Sequence, residues 1–220
     1  MPPRRKDKST GRSKIDATPP WAMRTREPAP PTTGPYDIAD APDDSVNRLD
    51  LGALYVPVVD GYELRLEVNQ AQQVVAVAVV GPHGHMQLGV FAAPRNEGIW
   101  DEVRAEIAAS LSSPRGVPKE AEGPWGTELA GTLPGDRGQV PVRFVGIDGP
   151  RWFVRAMFVG PVATDRTKAA PLERILRNAL VDRGATALPV REPVPLQMPR
   201  DVALPGAPRR TLPTDESDSF

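Results

Sequence analysis

The chain has 220 residues, with 27 basic against 28 acidic side chains, 27 prolines, 19 glycines, two histidines and no cysteine. The missing cysteine excludes disulfides, thiolate nucleophiles, iron–sulfur clusters and cysteine-ligated zinc. Proline well above its usual share of ~5% points to segments without regular structure.

Residues 1–26 are strongly basic, from Arg4, Arg5 and Lys6 to Arg24 and Arg26, whereas residues 27–50 are acidic, with Asp37, Asp40, Asp43, Asp44 and Asp50. Both stretches are proline-rich and poor in large apolar side chains. Such a segment cannot bury enough apolar surface to offset its ordering entropy, so 1–50 reads as a disordered arm. Its start, MPPRRKDKSTGRSK, lacks the apolar stretch of a secretory signal. The longest apolar run, Val74 to Val80, is far short of the ~20 residues that span a bilayer. The expectation is a cytoplasmic protein with no membrane segment. Residues 51–190 are balanced in charge and of ordinary single-domain size. Residues 191–220 are again proline-rich and close on TDESDSF, which reads as a second disordered tail.

Within 51–190, Tyr62, Leu64, Leu66 and Val68 alternate with Glu63, Arg65 and Glu67, the period of a half-buried strand. Asp60-Gly61 is a hairpin signal that would pair it with 53–58. Residues 73–80 are apolar at both parities, as in a central strand. GPHG at 81–84 is a turn into a strand carrying Met86, Leu88 and Val90. Ile99, Val103, Ile107 and Leu111 then fall at helical spacing, with Asn96 as the expected cap, and SSPRGVP ends that helix.

The second half follows a similar plan. Residues 125–133 read as a strand. Val140, Val142 and Phe144 alternate toward a turn at Asp148-Gly149, and Trp152, Val154, Ala156 and Phe158 form the returning strand. Pro171 marks the neighbourhood of a helix start. Leu172, Ile175, Leu176, Ala179 and Leu180 make its stripe, and Gly184 is the expected stop. Leu188 to Arg191 can add an edge strand. The order predicts an α+β fold, an antiparallel sheet with two amphipathic helices on one face. VAVAVVGPHGHMQLGVFAAP and VPVRFVGIDGPRWFVRAMFVGP can be laid side by side. Either the halves form a pseudo-repeat, or each is simply a hairpin followed by a helix.

Candidate chemistry is sparse. His83 and His85 share strand spacing, but no third histidine or cysteine completes a metal site, so no metal is expected. No GxxxxGK[ST], GxGxxG or GxSxG pattern occurs. No cofactor and no catalytic residue is assigned, and the reading leans away from an enzyme. Arg65, Arg143 and Arg155 are expected on one outward sheet face with Glu63, Glu67 and Glu128. Ordinary cross-strand ion pairing accounts for such a face; the sharper reading is a surface for an anion or an acidic partner. Trp100, Trp125 and Trp152 read as core anchors. Trp21 stands alone in the basic arm, and with Arg4, Arg5 and Lys6 it forms a candidate linear binding element.

The segments RLDLGALYVPVVDGYELRLEV (48–68), QLGVFAAPRNEGIWDEVRAEI (87–107), GPRWFVRAMFVGPVATD (149–165) and LVDRGATALPVREPVPLQMP (180–199) resemble an actinobacterial family known only as a domain of unknown function. The resemblance spans about residues 45–200. It implies a small cytoplasmic protein of unassigned activity and brings no catalytic residue with it.

Three functions stand beside one another at this level. The first is a non-enzymatic binding or adaptor domain with flexible tails and a protein partner. The second is a small-molecule or nucleotide-binding protein, or an enzyme, that uses arginines and carboxylates in a cleft. The third is a nucleic-acid-associated protein that works through the basic arm.

Overall fold

The computed structural model describes residues 33–112, 117–136 and 138–199. Eleven strands and two α-helices lie in this span, and the fold is α+β with sheets that are antiparallel but for one parallel pair, as the alternation predicts for the large sheet. The larger sheet runs β4(Glu63–Val68), β5(Val74–Gly81), β6(Gly84–Ala92), β10(Trp152–Val159), β9(Gly138–Gly149), β8(Gly126–Gly135) and β7(Lys119–Gly123) in spatial order. The smaller sheet runs β1(Tyr36–Asp37), β11(Leu180–Val181), β3(Leu54–Pro57) and β2(Arg48–Asp50).

Register explains where each side chain goes. Val154 lies opposite both Val90 and Ile147, and Ala156 opposite both Leu88 and Val145. Directly opposed residues share a face, so these form one continuous apolar surface. With Trp152, Phe158 and Met86 it makes the main core, closed by Leu54, Val56 and Val181 of the small sheet and by α2(Arg166–Arg177). The other face carries Val142, Phe144, Leu129 and Phe153, which pack against Ile99 and Trp100 at the start of α1(Trp100–Leu111).

The two helices therefore sit on opposite faces of the large sheet, not on one face as expected. An apolar stripe specifies that a helix must be covered but not which sheet face covers it. From β4 to β8 the strand order is symmetric about the β6–β10 pair, and β7 adds a seventh strand on one side only. A twofold axis that exchanges these antiparallel strands would keep both helices on one side, so the helices break the suggested repeat.

Several local expectations also shift. Asp60-Gly61 does turn, but β3 pairs with β2 and β11 while β4 pairs with β5. Both edges of β3 are already taken by distant segments, which leaves no room for a local hairpin. Asn96 does not cap α1; Asp148, at the end of β9, accepts from the Ile99 N–H at 2.8 Å and the Trp100 N–H at 3.3 Å. Pro171 lies inside α2, whose cap is Asp165, accepting from Thr167 and Lys168. That helix ends at Asn178 rather than at Gly184.

Pairing also extends past 51 and 190. β1 and β2 come from the acidic part of the supposed arm. The Val194 N–H donates to Val90 O, Leu196 to Val74 O and Gln197 to Leu51 O, at 2.8–2.9 Å. Residues 188–191 do not form the edge strand expected there; the pairing begins only at their last residue, Arg191, whose N–H donates to Ala92 O at 2.7 Å, and Val194 and Leu196 are buried.

Candidate functional site

Three arrangements of polar side chains stand out. The first is a cleft of about 820 Å³ over the outer face of the small sheet. Its walls come from β2 and β3 on one side and from residues 182–199 on the other. Tyr55 is central. Asp50 is its direct cross-strand neighbour, and Asp182 follows β11 on its other side, its N–H bonded to Ala53 O. Both aspartates use one oxygen locally: Asp50 Oδ1 accepts from the Gly52 N–H and Asp182 Oδ1 from the Gly184 N–H. Their second oxygens make no hydrogen bond to a described residue. Partial burial, then the charges of Asp50 and Asp182, raise the Tyr55 hydroxyl above its ordinary value, so it stays protonated.

The two arginines in the wall are largely committed. Arg48 donates through both terminal nitrogens to Asp44, at 2.8 and 2.7 Å, and through Nε to Asn178 O at 2.7 Å. Arg183 donates to the carbonyls of Arg151 and Thr186. The cleft thus offers open acceptors and a protonated phenol rather than open cations.

The second arrangement is a closed ion cluster beneath α2. Arg143 bonds Glu128 at 3.0 Å and Glu173 at 2.7 Å, and Arg166 bonds the same two carboxylate oxygens at 2.8 and 3.1 Å. Glu128, Arg143 and Glu173 are buried, whereas the Arg166 side chain is 48% exposed. The Arg143 guanidinium also lies 4.0 Å from the Phe158 ring centre. Glu128 is opposite Ala121 on β7, and its carboxylate fits because it reaches over Gly123, where a Cβ would fall 1.9 Å from Glu128 Oε1. Two cations, one buried and one half-exposed, balance two buried anions, an arrangement suited to docking α2 rather than to meeting a ligand.

The third is the sheet face that α1 only half covers. Arg65 and Arg155 both lie on it, as expected, but Arg143 does not. Arg143 opposes Phe158 and points with it into the α2 side. Arg143 and Arg155 are on opposite faces and line no common cleft. Residues 142–147 are buried without a break. That uninterrupted run, apolar at both parities, was the available signal that Arg143 is not on a wet face. Arg65 pairs with Glu63 of its own strand at 2.8 Å, so local ion pairing accounts for it. The residues Arg4, Arg5, Lys6 and Trp21 lie outside the described residues.

His83 is in the turn and His85 on β6, where burial lowers its pKa. Among the described residues, no group of three or more His, Asp or Glu side chains converges as a metal would require. No helix there is long and apolar enough to cross a membrane.

No curated protein and no solved structure matches the chain. The cleft, the ion cluster and both sheets all lie within residues 34–204, the span matched by the model of a family described as "Protein of unknown function (DUF3710)", and the chain belongs to that family.

Proposed function

We propose that this protein is a binding domain and that the cleft around Tyr55 is its recognition site, taking a ligand that presents a protonated amine or guanidinium. The observation that carries this reading is the cleft itself. A concavity of about 820 Å³ falls within the ~300–1,000 Å³ of small-ligand sites. Its wall arginines are spent on carbonyls and on Asp44, while Asp50 and Asp182 each keep one oxygen open beside a protonated hydroxyl. Carboxylates with open lone pairs favour cationic hydrogen-bond donors. A small basic molecule and a lysine or arginine side chain of a protein partner present the same group.

The test uses the full chain, with spermidine and L-argininamide as probes. Either should shift the amide resonances of Gly52 and Gly184 saturably. Asp182→Asn and Asp50→Asn should each weaken binding about tenfold, the loss of one charge-assisted hydrogen bond. The reading fails if neither probe moves these amides, or if the double variant binds equally well. A second recognition element at Arg4, Arg5, Lys6 and Trp21 remains part of the proposal. It predicts that replacing these four in the full chain removes a protein or nucleic-acid partner that the cleft variants retain.

A further inference from the structure

The half-covered face of the large sheet holds a cation that nothing around it neutralises. Arg155 stands on β10 with Gly89 of β6 opposite it on one side and Gly146 of β9 on the other. Neither neighbour has a side chain to cover it. Beyond Gly89 the floor continues through Ala76 and Ala78 of β5, both buried small residues. Trp100 closes the far side, lying where a Cβ on Gly146 would fall 2.1 Å from the indole. Phe91 forms the near wall, with the Arg155 guanidinium 5.0 Å from its ring centre.

Each carboxylate on this face, and on the adjoining flank of α1, already has a partner. Glu63 holds Arg65. Glu67 accepts from the Gln87 side chain. Glu102 and Glu106 hold Arg191 at 2.5 and 2.6 Å. Asp148 caps α1. Arg155 forms no hydrogen bond or ion pair with any described residue, and none of its nitrogens is among the sealed, unpartnered atoms, so solvent still reaches the half-buried guanidinium. Burial pulls its pKa down, and no carboxylate pulls it back.

A guanidinium is a planar fork of donors whose geometry matches two oxygens of a carboxylate or phosphate. Partial removal from water makes such a pair stronger than it would be on an open surface. We propose that Arg155 is the anchor of an oxyanion-binding site on this face, taking the carboxylate or phosphate group of a small ligand that meets the guanidinium from the solvent side, between the Phe91 ring on Gly89 and the Trp100 indole on Gly146. The site is separate from the Tyr55 cleft, on another sheet and of opposite charge preference.

The experiment titrates the full-length protein with benzoate and, separately, with phenyl phosphate, following the Gly89 and Gly146 amides and the Arg155 Nε–H resonance. The expected result is a saturable shift at all three positions with at least one anion, and the anion that binds tighter identifies the group recognised. Arg155→Gln should weaken that binding about tenfold or more. Arg155→Lys, which keeps the charge but loses the fork, should fall between the two. Arg65→Gln, on the same face but outside the site, should bind as wild type does. Unchanged melting temperatures establish that each variant is folded; if Arg155→Gln unfolds, Arg155→Lys decides. The proposal is overturned if neither anion shifts these resonances, or if the shifts survive in both Arg155 variants.

Discussion

The indole N–H of Trp152 donates to Asp37 Oδ2 at 2.8 Å, across 115 positions of sequence. Trp152 is completely buried in the main core, and its one polar atom is satisfied by a residue from the acidic N-terminal stretch. Asp37 Oδ1 meanwhile accepts from the Ala39 N–H at 3.0 Å. Asp37→Ala leaves a buried donor unpaired, a cost of ~1–3 kcal/mol. Urea denaturation should show that loss with an unchanged m-value, whereas Asp37→Asn should lose less. An Asp37→Ala protein as stable as wild type would show that water replaces the carboxylate.

Asp148 caps α1 from another element, so its effect should be larger than its partial exposure suggests. Asp148→Ala is expected to cost ~0.5–2 kcal/mol and to loosen the Trp100–Phe153 stack, whose ring centres are 6.0 Å apart. Burial raises the Asp148 carboxyl above its ordinary value, and the two N–H groups offset that only in part. The folded protein therefore keeps this proton to a higher pH than the unfolded chain does. Relative to Asp148→Asn, wild type should gain stability as pH falls from its folded-state pKa to the ordinary aspartate value. The gain is complete below that value. Paired denaturation curves from neutral to acidic pH check the sign.

Removal of Arg143 leaves two buried carboxylates to share the single, half-exposed cation of Arg166. Arg143→Met should cost ~3–5 kcal/mol, the usual consequence of leaving buried charge uncompensated. Replacing Glu128 and Glu173 by methionine as well should recover much of the loss, because Arg166 can then turn to solvent. Equal instability of the single and triple variants would show that the cluster contributes through packing rather than through charge.

The stretch after residue 190 belongs to the folded unit. Val194 and Leu196 are each 5% exposed, and full burial of such a side chain contributes ~1.5–3 kcal/mol. A chain ending at Val190 should unfold at markedly lower urea and bind a hydrophobic dye, since Val74 and Leu51 lose their partners. A chain ending at Pro199 should match the stability of the full chain through this segment.

Period was the legible part of this fold. Tyr62 to Val68, the apolar run of β5, the paired alternations of β9 and β10 and both helix stripes all appear in the sequence because one side chain in two, or in three to four, must face a core. What did not appear were elements whose order is supplied from outside. β7 is KEAEG, with no apolar alternation, and it exists because β8 offers it an edge. β1 and β2 are too short to carry a pattern. The Arg65–Arg155 face was legible from alternation, and the position of Arg143 was not, because Val142 and Phe144 read as the inner parity when both parities were inner. The Tyr55 cleft was invisible in sequence: Asp50, Tyr55 and Asp182 meet only through the pairing of β2, β3 and β11.

The parallel pairing of Tyr36 with Leu180 joins the start of the folded unit to a strand near its end, and the bonds of residues 194–197 to Leu51, Val74 and Val90 tie that end back to its first half. A growing polypeptide therefore cannot settle its first strand until nearly the last residue of the domain has been made. Long-range pairing of this kind slows folding and leaves unpaired strand edges exposed meanwhile. During synthesis, Tyr36 and Asp37 must wait, and Trp152 enters the core before its hydrogen-bond acceptor can be fixed in place. Refolding from denaturant should accordingly form the β5–β6 and β9–β10 hairpins first and the small sheet last.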